Sequence, residues 1–356
     1  MAWIGSVSTA LLICSGVLAG PLFDRGYLKP ILMLGCFLMV LGLMMLSLCT
    51  EYYQVMLAQG ICFGIGAGLV YVPALAFVTG SFTKLRSYAV GVATTGASVG
   101  GMLFPIMFIK LVPEVGFPWT CRIFGFIDLG LSLVGLALLS SAPVKKTKPR
   151  KLLQLKAFLE PAYLTFALGA GFLQFLGFWI PIFYIPSFAS SALAVGRDLS
   201  IYAVAIFNAA SIFGRLLPAF LIARIGAINV VFAATVATTV ILFCWIAVSH
   251  FAGFVVWCVF LGFSSGVFVS GNPVVAAHPQ ISSLAVLGTR LGQLWLCAGV
   301  AALVGTPIAG ALVNTATGDF LNAQIFVGCV LAGASLVLLY PVFNLNAYDK
   351  KSKAES

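Results

Sequence analysis

The sequence predicts an all-α membrane protein of about eleven transmembrane helices gathered in two bundles. Residues are 62% hydrophobic and only 8% charged, and the mean hydropathy is +1.12. Apolar runs follow one another from Ala2 to Phe343, long enough for the ~20 residues a helix needs to cross a hydrocarbon core. Runs such as Ile31–Cys49 and Val230–Ser249 are apolar all round rather than along one stripe, which suits lipid on one side and other helices on the rest. Backbone amides in lipid must be bonded within their own segment, so helices are the structure these runs require.

The charged joints divide the chain. Spans are expected near Ala2–Pro21 and Pro30–Cys49, separated by Asp24, Arg25 and Lys29. After Glu51 comes Tyr53–Gly80, whose Gly60, Gly64, Gly66 and Gly68 offer close-packing surfaces in mid-span, where no phosphate loop can serve a nucleotide. Lys84 and Arg86 precede Ser87–Val112, and Glu114 separates it from Trp119–Ser141. The basic stretch 142–160 leads to Pro161–Ser190, then Arg197-Asp198 to Leu199–Ala223 and Arg224 to Ala227–Ser249. Ala252–His278, the Gly/Pro-rich Leu284–Thr315 and, after Asp319, Leu321–Leu345 complete the set.

The net charge of +10 is topogenic rather than a nucleic-acid signal. Arg25 with Lys29, Lys84 with Arg86, the run Lys145, Lys146, Lys148, Arg150, Lys151 and Lys156, and the terminal Lys350, Lys351 and Lys353 all fall on one side if the helices alternate. Glu51, Glu114, Asp319 and the Arg197-Asp198 pair fall on the other. Positive loops face the cytoplasm, so the C-terminus is expected there, in a multi-pass protein of the plasma membrane. The odd helix count and the abrupt apolar start, without the basic region of a cleavable signal, lead to the expectation of one helix missing from the front. The 9 cysteines are scattered as small hydrophobes with no CxxC, and there are only 2 histidines, so no metal or cofactor is expected. The spans hold no clustered His, Asp or Ser-Lys chemistry and no Walker pattern, which disfavours an enzyme or an ATP-driven pump.

Residues 142–160 divide an N-terminal bundle (1–141) from a C-terminal six-helix bundle (161–345) and a cytoplasmic tail (346–356). Within that basic linker, Leu152–Leu159 reads either as an amphipathic helix on anionic lipid or as plain linker. The halves echo one another. Gly20-Pro-Leu-Phe-Asp24-Arg25-Gly26 corresponds to Ala219-Phe-Leu-Ile-Ala223-Arg224-Ile-Gly226, and the Gly91…Pro105 helix to Gly292…Gly310. Two parallel repeats of about six helices are the build of one large transporter fold.

A few polar residues interrupt this background. Asp24 is placed to accept hydrogen bonds at a neighbouring helix end and Arg25 to pair with a carboxylate, a latch for one conformation. Lys84, Arg86, Arg224 and Arg290 stand at related helix ends. Arg215 lies within a span, costly unless it faces a cavity or partner, and a guanidinium suits a carboxylate. It reads as an anion-binding residue or as one snorkelling to the cytoplasmic edge. Asp128 lies inside Phe124–Leu139, as a proton site or as the structural partner of another helix; Arg122 is six residues away and off its face. Asn208, Gln174, Asn272 and Tyr184 line a substrate cavity or glue helices together.

The loop Gly20–Lys29 resembles the cytoplasmic-loop signature of the major facilitator superfamily. Ser81-Phe82-Thr-Lys84-Leu-Arg86…Ala89-Val-Gly91-Val-Ala93 is similar to a conserved stretch of its monocarboxylate porter family, as are Trp3-Ile-Gly5-Ser6 and Gly305-Thr-Pro307-Ile-Ala-Gly310. Gly116-Phe-Pro-Trp119, Ile180-Pro181…Tyr184-Ile-Pro186 and Asn208…Ser211-Ile-Phe-Gly214-Arg215 resemble its fungal branch. The resemblance implies secondary active transport of a small organic solute, foremost a monocarboxylate or related organic anion, by rocking of two bundles, with protons as coupling ion. Animal members carry an Asp one turn before the arginine, where this chain has Ser211. Exporter of a fungal secondary metabolite and importer of a riboflavin-like aromatic are alternatives within the class. A non-transporting truncated product or sensor is the alternative outside it.

Overall fold

The computed structural model describes residues 2–140, 154–283, 286–314 and 317–355. Among the described residues, 10 helical runs are long and apolar enough to cross a membrane: α1 (Ile4–Asp24), α2 (Leu28–Leu46), α3 (Tyr52–Ser81), α4 (Arg86–Leu139), α5 (Pro161–Ser191), α6 (Asp198–Ile225), α7 (Ala227–Ala247), α8 (Phe251–Ala276), α9 (Leu287–Leu312) and α10 (Leu321–Lys351). At 54 residues α4 is more than twice the length of a crossing. It breaks at Gly116, whose φ of 76° and ψ of 165° suit only glycine. Its two arms are the spans expected at Ser87–Val112 and Trp119–Ser141. The described residues form no strand beyond an isolated bridge between Asn314 and Asp319. Large apolar side chains such as Leu138 (76% exposed) and Phe343 (72%) point outward, as lipid-facing residues do.

Two helices contain widened turns. Met56–Phe63 in α3 and Ala167–Leu173 in α5 are π-helical, and both include glycines, which tolerate the looser backbone. The linker segment Leu155–Leu159 is a short 3-10 turn, not an amphipathic α-helix; the earlier basic residues, Lys145 to Lys151, lie outside the described residues. Helix α10 runs past the expected end at Leu345. Side-chain contacts hold that extension: Asn346 and Asn229 bond to each other at 2.7 and 3.0 Å, and Asp349 meets His278 at 3.0 Å.

The chain forms two compact units, each built from separate stretches. One comprises Met1–Phe77, Met107–Gln154 and Leu284–Leu303. Its helices approach closely through glycine. A Cβ on Gly66 would lie 2.8 Å from the Gly35 carbonyl, and one on Gly68 would lie 2.2 Å from that of Leu12. The other comprises Val78–Ile106, Leu155–Ser283 and Val304–Ser356. There α6 and α8 meet main chain to main chain at Gly214 and Gly262. An aromatic cluster closes one end: Trp245 stacks on Trp257 with centroids 4.9 Å apart, and Phe188 packs against Trp245, Phe254 and Phe320. Trp257 also donates its indole N–H to the Ile241 carbonyl at 2.8 Å, tying α8 to α7.

Candidate functional site

In the first unit α1 ends at Asp24 beside the start of α9. The Asp24 carboxylate is buried (9% exposed). It accepts the Gly288 N–H at 3.1 Å, the Thr289 N–H at 2.8 Å and the Thr289 hydroxyl at 2.7 Å. Helix N-termini leave N–H groups unbonded and carry partial positive charge, so a carboxylate there is doubly favoured. Glycines permit the approach. A Cβ on Gly20 would lie 2.2 Å from the Gly288 carbonyl oxygen, and one on Gly292 would lie 2.4 Å from that of Gly16. Arg25 and Arg290 flank this contact, both half-buried.

In the second unit the N-terminal arm of α4 lies along α6. Arg215 is 8% exposed. Its Nε donates to Ser211 Oγ at 3.4 Å and its Nη1 to the Thr94 carbonyl. The guanidinium thus engages a backbone oxygen of α4, and Ser211, at the position where the resemblance calls for an acid, is its hydroxyl partner. Small residues hold the arm against α6: a Cβ on Gly91 would lie 2.5 Å from the Arg215 carbonyl oxygen, and one on Gly101 the same distance from Asn208 Oδ1. Ser87 donates to the Ala219 carbonyl at 3.2 Å. Arg86 reaches the carbonyls of Phe82 (3.0 Å) and Ala277 (3.5 Å). Lys84 is exposed, and Arg224 stacks over the Phe220 ring at 4.3 Å.

Gln174 and Asn272 face each other in the second unit. Asn272 Nδ2 donates to Gln174 Oε1 at 2.7 Å, and Gln174 Nε2 to Thr235 Oγ1 at 2.7 Å. All three are fully buried, and these bonds join α5, α7 and α8; Asn272 Oδ1 is enclosed without a hydrogen-bond partner among the described residues. Gln174→Leu is expected to cost about 1–2 kcal/mol by stranding its partners. Gln174→Leu with Asn272→Leu should cost less than the sum of the single variants. Thermal unfolding in nanodiscs checks this, and strict additivity would sink the coupling. Asn208 donates to the Val204 carbonyl at 2.9 Å within its own helix. Tyr184 is half-buried and meets the edge of the Phe320 ring.

Asp128 occupies the C-terminal arm of α4, half-buried, with Oδ2 enclosed and without a hydrogen-bond partner among the described residues. Arg122 turns elsewhere, its Nε to Ser47 Oγ at 3.2 Å and its guanidinium over Trp119 at 4.9 Å. Sequence reasoning missed Thr289, Thr94 and Thr235. A polar residue at the start of a span was the only signal for Thr289, and Thr94 contributes only its main chain.

A family profile described as the Major Facilitator Superfamily matches residues 1–292. The chain is 39% identical over 337 residues to the aspyridones efflux protein of Emericella nidulans, covering 93% of this chain and 67% of that one. It is 37% identical over 344 residues to the fujikurins efflux protein of Gibberella fujikuroi, covering 95% and 73%. A third relative, the agnestins efflux protein of Paecilomyces divaricatus, is 35% identical over 343 residues, covering 95% and 77%. Among solved structures, the human organic anion transporter MFSD10 superposes with a TM-score of 0.74 at 17% identity, covering 97% of this chain and 83% of that one. The E. coli fucose:proton symporter does so with 0.73 at 14%, covering 95% and 90%. The finer expectation of a monocarboxylate porter is not what these names carry; these three relatives are named as efflux proteins. With its helical membrane fold, this chain belongs to the Major Facilitator Superfamily.

Proposed function

We propose that the chain exports a fungal secondary metabolite across the plasma membrane by alternating access, the exporter reading taking precedence over a monocarboxylate porter. One observation carries it: relatives named as efflux proteins for aspyridones, fujikurins and agnestins match 93–95% of this chain at 35–39% identity. The low charge of the spans supports an amphipathic cargo with little charge of its own, because ionic groups in the membrane require paired partners.

In this scheme Asp24 holds α1 against α9 in one state and releases it in the other, and Arg215 does the same between α6 and α4. Arg215 gives up a main-chain carbonyl as the contact parts, which leaves its guanidinium available to an acceptor oxygen of the cargo. Asp128 is the protonatable site for coupling to a proton gradient. The remaining arginines and Lys84 set the energy of the cytoplasmic ends.

The test is efflux from yeast loaded with an aspyridone, beside lactate, with the parent chain and Arg215→Ala at matched surface levels. Outward aspyridone movement by the parent, reduced at least ~10-fold in the variant, is the expected result. Movement of lactate but not of aspyridone restores the monocarboxylate reading. Parental rates in Arg215→Ala would remove Arg215 from the mechanism.

A further inference from the structure

Gln293 lies on α9 one helical turn beyond Thr289 and is 1% exposed. Both ends of its amide, Nε2 and Oε1, are enclosed and meet no hydrogen-bond partner among the described residues. A primary amide has two donors and an oxygen with two lone pairs. Buried polar groups almost always find partners, and membrane interiors supply no water to make up the loss. Gln174 shows what a structural glutamine looks like in this fold: it is equally buried, with both ends of its amide bonded. Methionine or leucine would fill the place of Gln293 without the desolvation penalty. On the same helix Thr289 serves Asp24, Gly292 lies close to the main chain of Gly16, and Gly299 lies against Cys14. The unpaired amide therefore sits beside the contact whose parting would separate α9 from α1.

We propose that Gln293 is a cargo-recognition residue, held unpaired in this arrangement and satisfied by the transported molecule once α9 leaves the Asp24 carboxylate. The group it takes is neutral and offers an acceptor and a donor side by side, as a carboxamide or a hydroxy-ketone does, because one amide can then be paired at both ends. A carboxylate would satisfy only its N–H side. The inference rests on the transport reading above, and deepens it by naming the chemistry of the cargo.

Two measurements on the full chain decide it. Gln293→Cys in membrane vesicles is treated with a cationic, membrane-impermeant methanethiosulfonate and modification is read peptide by peptide. Leu131→Cys, at an outward-facing apolar position that is 66% exposed, is the lipid reference. Modification at 293 several-fold faster than at 131 is expected, because alternation brings the site to water; equal or slower modification overturns the proposal. In the second, Gln293→Met should unfold at the same temperature as the parent or higher while aspyridone efflux falls at least tenfold. A lower unfolding temperature with efflux unchanged overturns it by showing a structural amide. If the parent moves no aspyridone the exporter reading fails, and the labelling still decides whether Gln293 faces a transport pathway.

Discussion

Asp24→Asn is expected to slow export about thirtyfold and to lower the unfolding temperature, with the protein still reaching the membrane. The carboxylate accepts three hydrogen bonds at the start of α9, two of them from main-chain N–H groups. Asparagine retains one acceptor oxygen and turns an NH2 toward donors. The loss combines charge-assisted hydrogen bonding, ~1.5–3 kcal/mol per bond, with a helix-terminus term of ~0.3–1 kcal/mol. A net ~2 kcal/mol withdrawn from one conformation shifts a two-state balance about thirtyfold. Asp24→Glu should not rescue, because a Cβ on Gly288 would already lie 2.7 Å from Asp24 Oδ1, leaving no room for a further methylene. Initial efflux rates and thermal unfolding of the same preparations measure both effects. Parental values in both would refute a latch at this position.

Gly214→Ala should be the most damaging glycine-to-alanine change between α6 and α8. Its Cβ would lie 2.0 Å from the Phe263 carbonyl oxygen and 2.8 Å from the carbonyl carbon. Both are backbone atoms of α8, so no rotamer relieves the clash and the helices must separate. Overpacking of this kind costs ~1–3 kcal/mol where side chains can yield, and more where they cannot. The neighbouring close approaches, where a Cβ on Gly262 would lie 2.2 Å from the Phe207 carbonyl oxygen and one on Gly266 2.6 Å from that of Ser211, loosen with it, and Arg215 is carried out of register with Thr94. Little folded protein should survive detergent extraction, as size-exclusion profiles would show. Gly130→Ala is the counterpart: nothing lies within 4 Å of its Cβ, and alanine in a helix interior gains up to ~1 kcal/mol. Equal yields of the two variants would disprove the main-chain contact of α6 with α8.

The spans were legible because hydropathy is a local property. Each apolar run declares itself without reference to any other, and even the break in α4 was expected between Val112 and Trp119, around Glu114. The partners of the polar residues were not legible, since they are set by which helices meet. Arg215 binds a carbonyl that any residue at position 94 would present. Asp24 binds the amides of Gly288 and Thr289, and only the threonine hydroxyl leaves a trace in the sequence. Gln174 and Asn272 each read as cavity lining or as interhelical glue, and nothing short of the helix packing shows that they bond to one another. The widened turns of α3 and α5 were also invisible, because a π segment has the same composition as the glycine-rich helix around it. The choice of cargo was not legible for a related reason: family motifs report the scaffold, and the preference for the exporter alternative over the monocarboxylate reading came from the names of relatives matched along nearly the whole chain.

The contact between Asp24 and Thr289 joins residues 265 positions apart, and this sets a timetable for biogenesis. At roughly 5–20 residues per second of synthesis, α1 enters the membrane some tens of seconds before the start of α9 leaves the ribosome. During that interval a carboxylate waits without its donors, and the glycine face around Gly16 and Gly20 waits without its partner. The unit that contains α1 therefore stays open while most of the other unit is being made and closes only once its last stretch, Leu284–Leu303, has been added, so the insertion machinery must shelter its open side through much of synthesis.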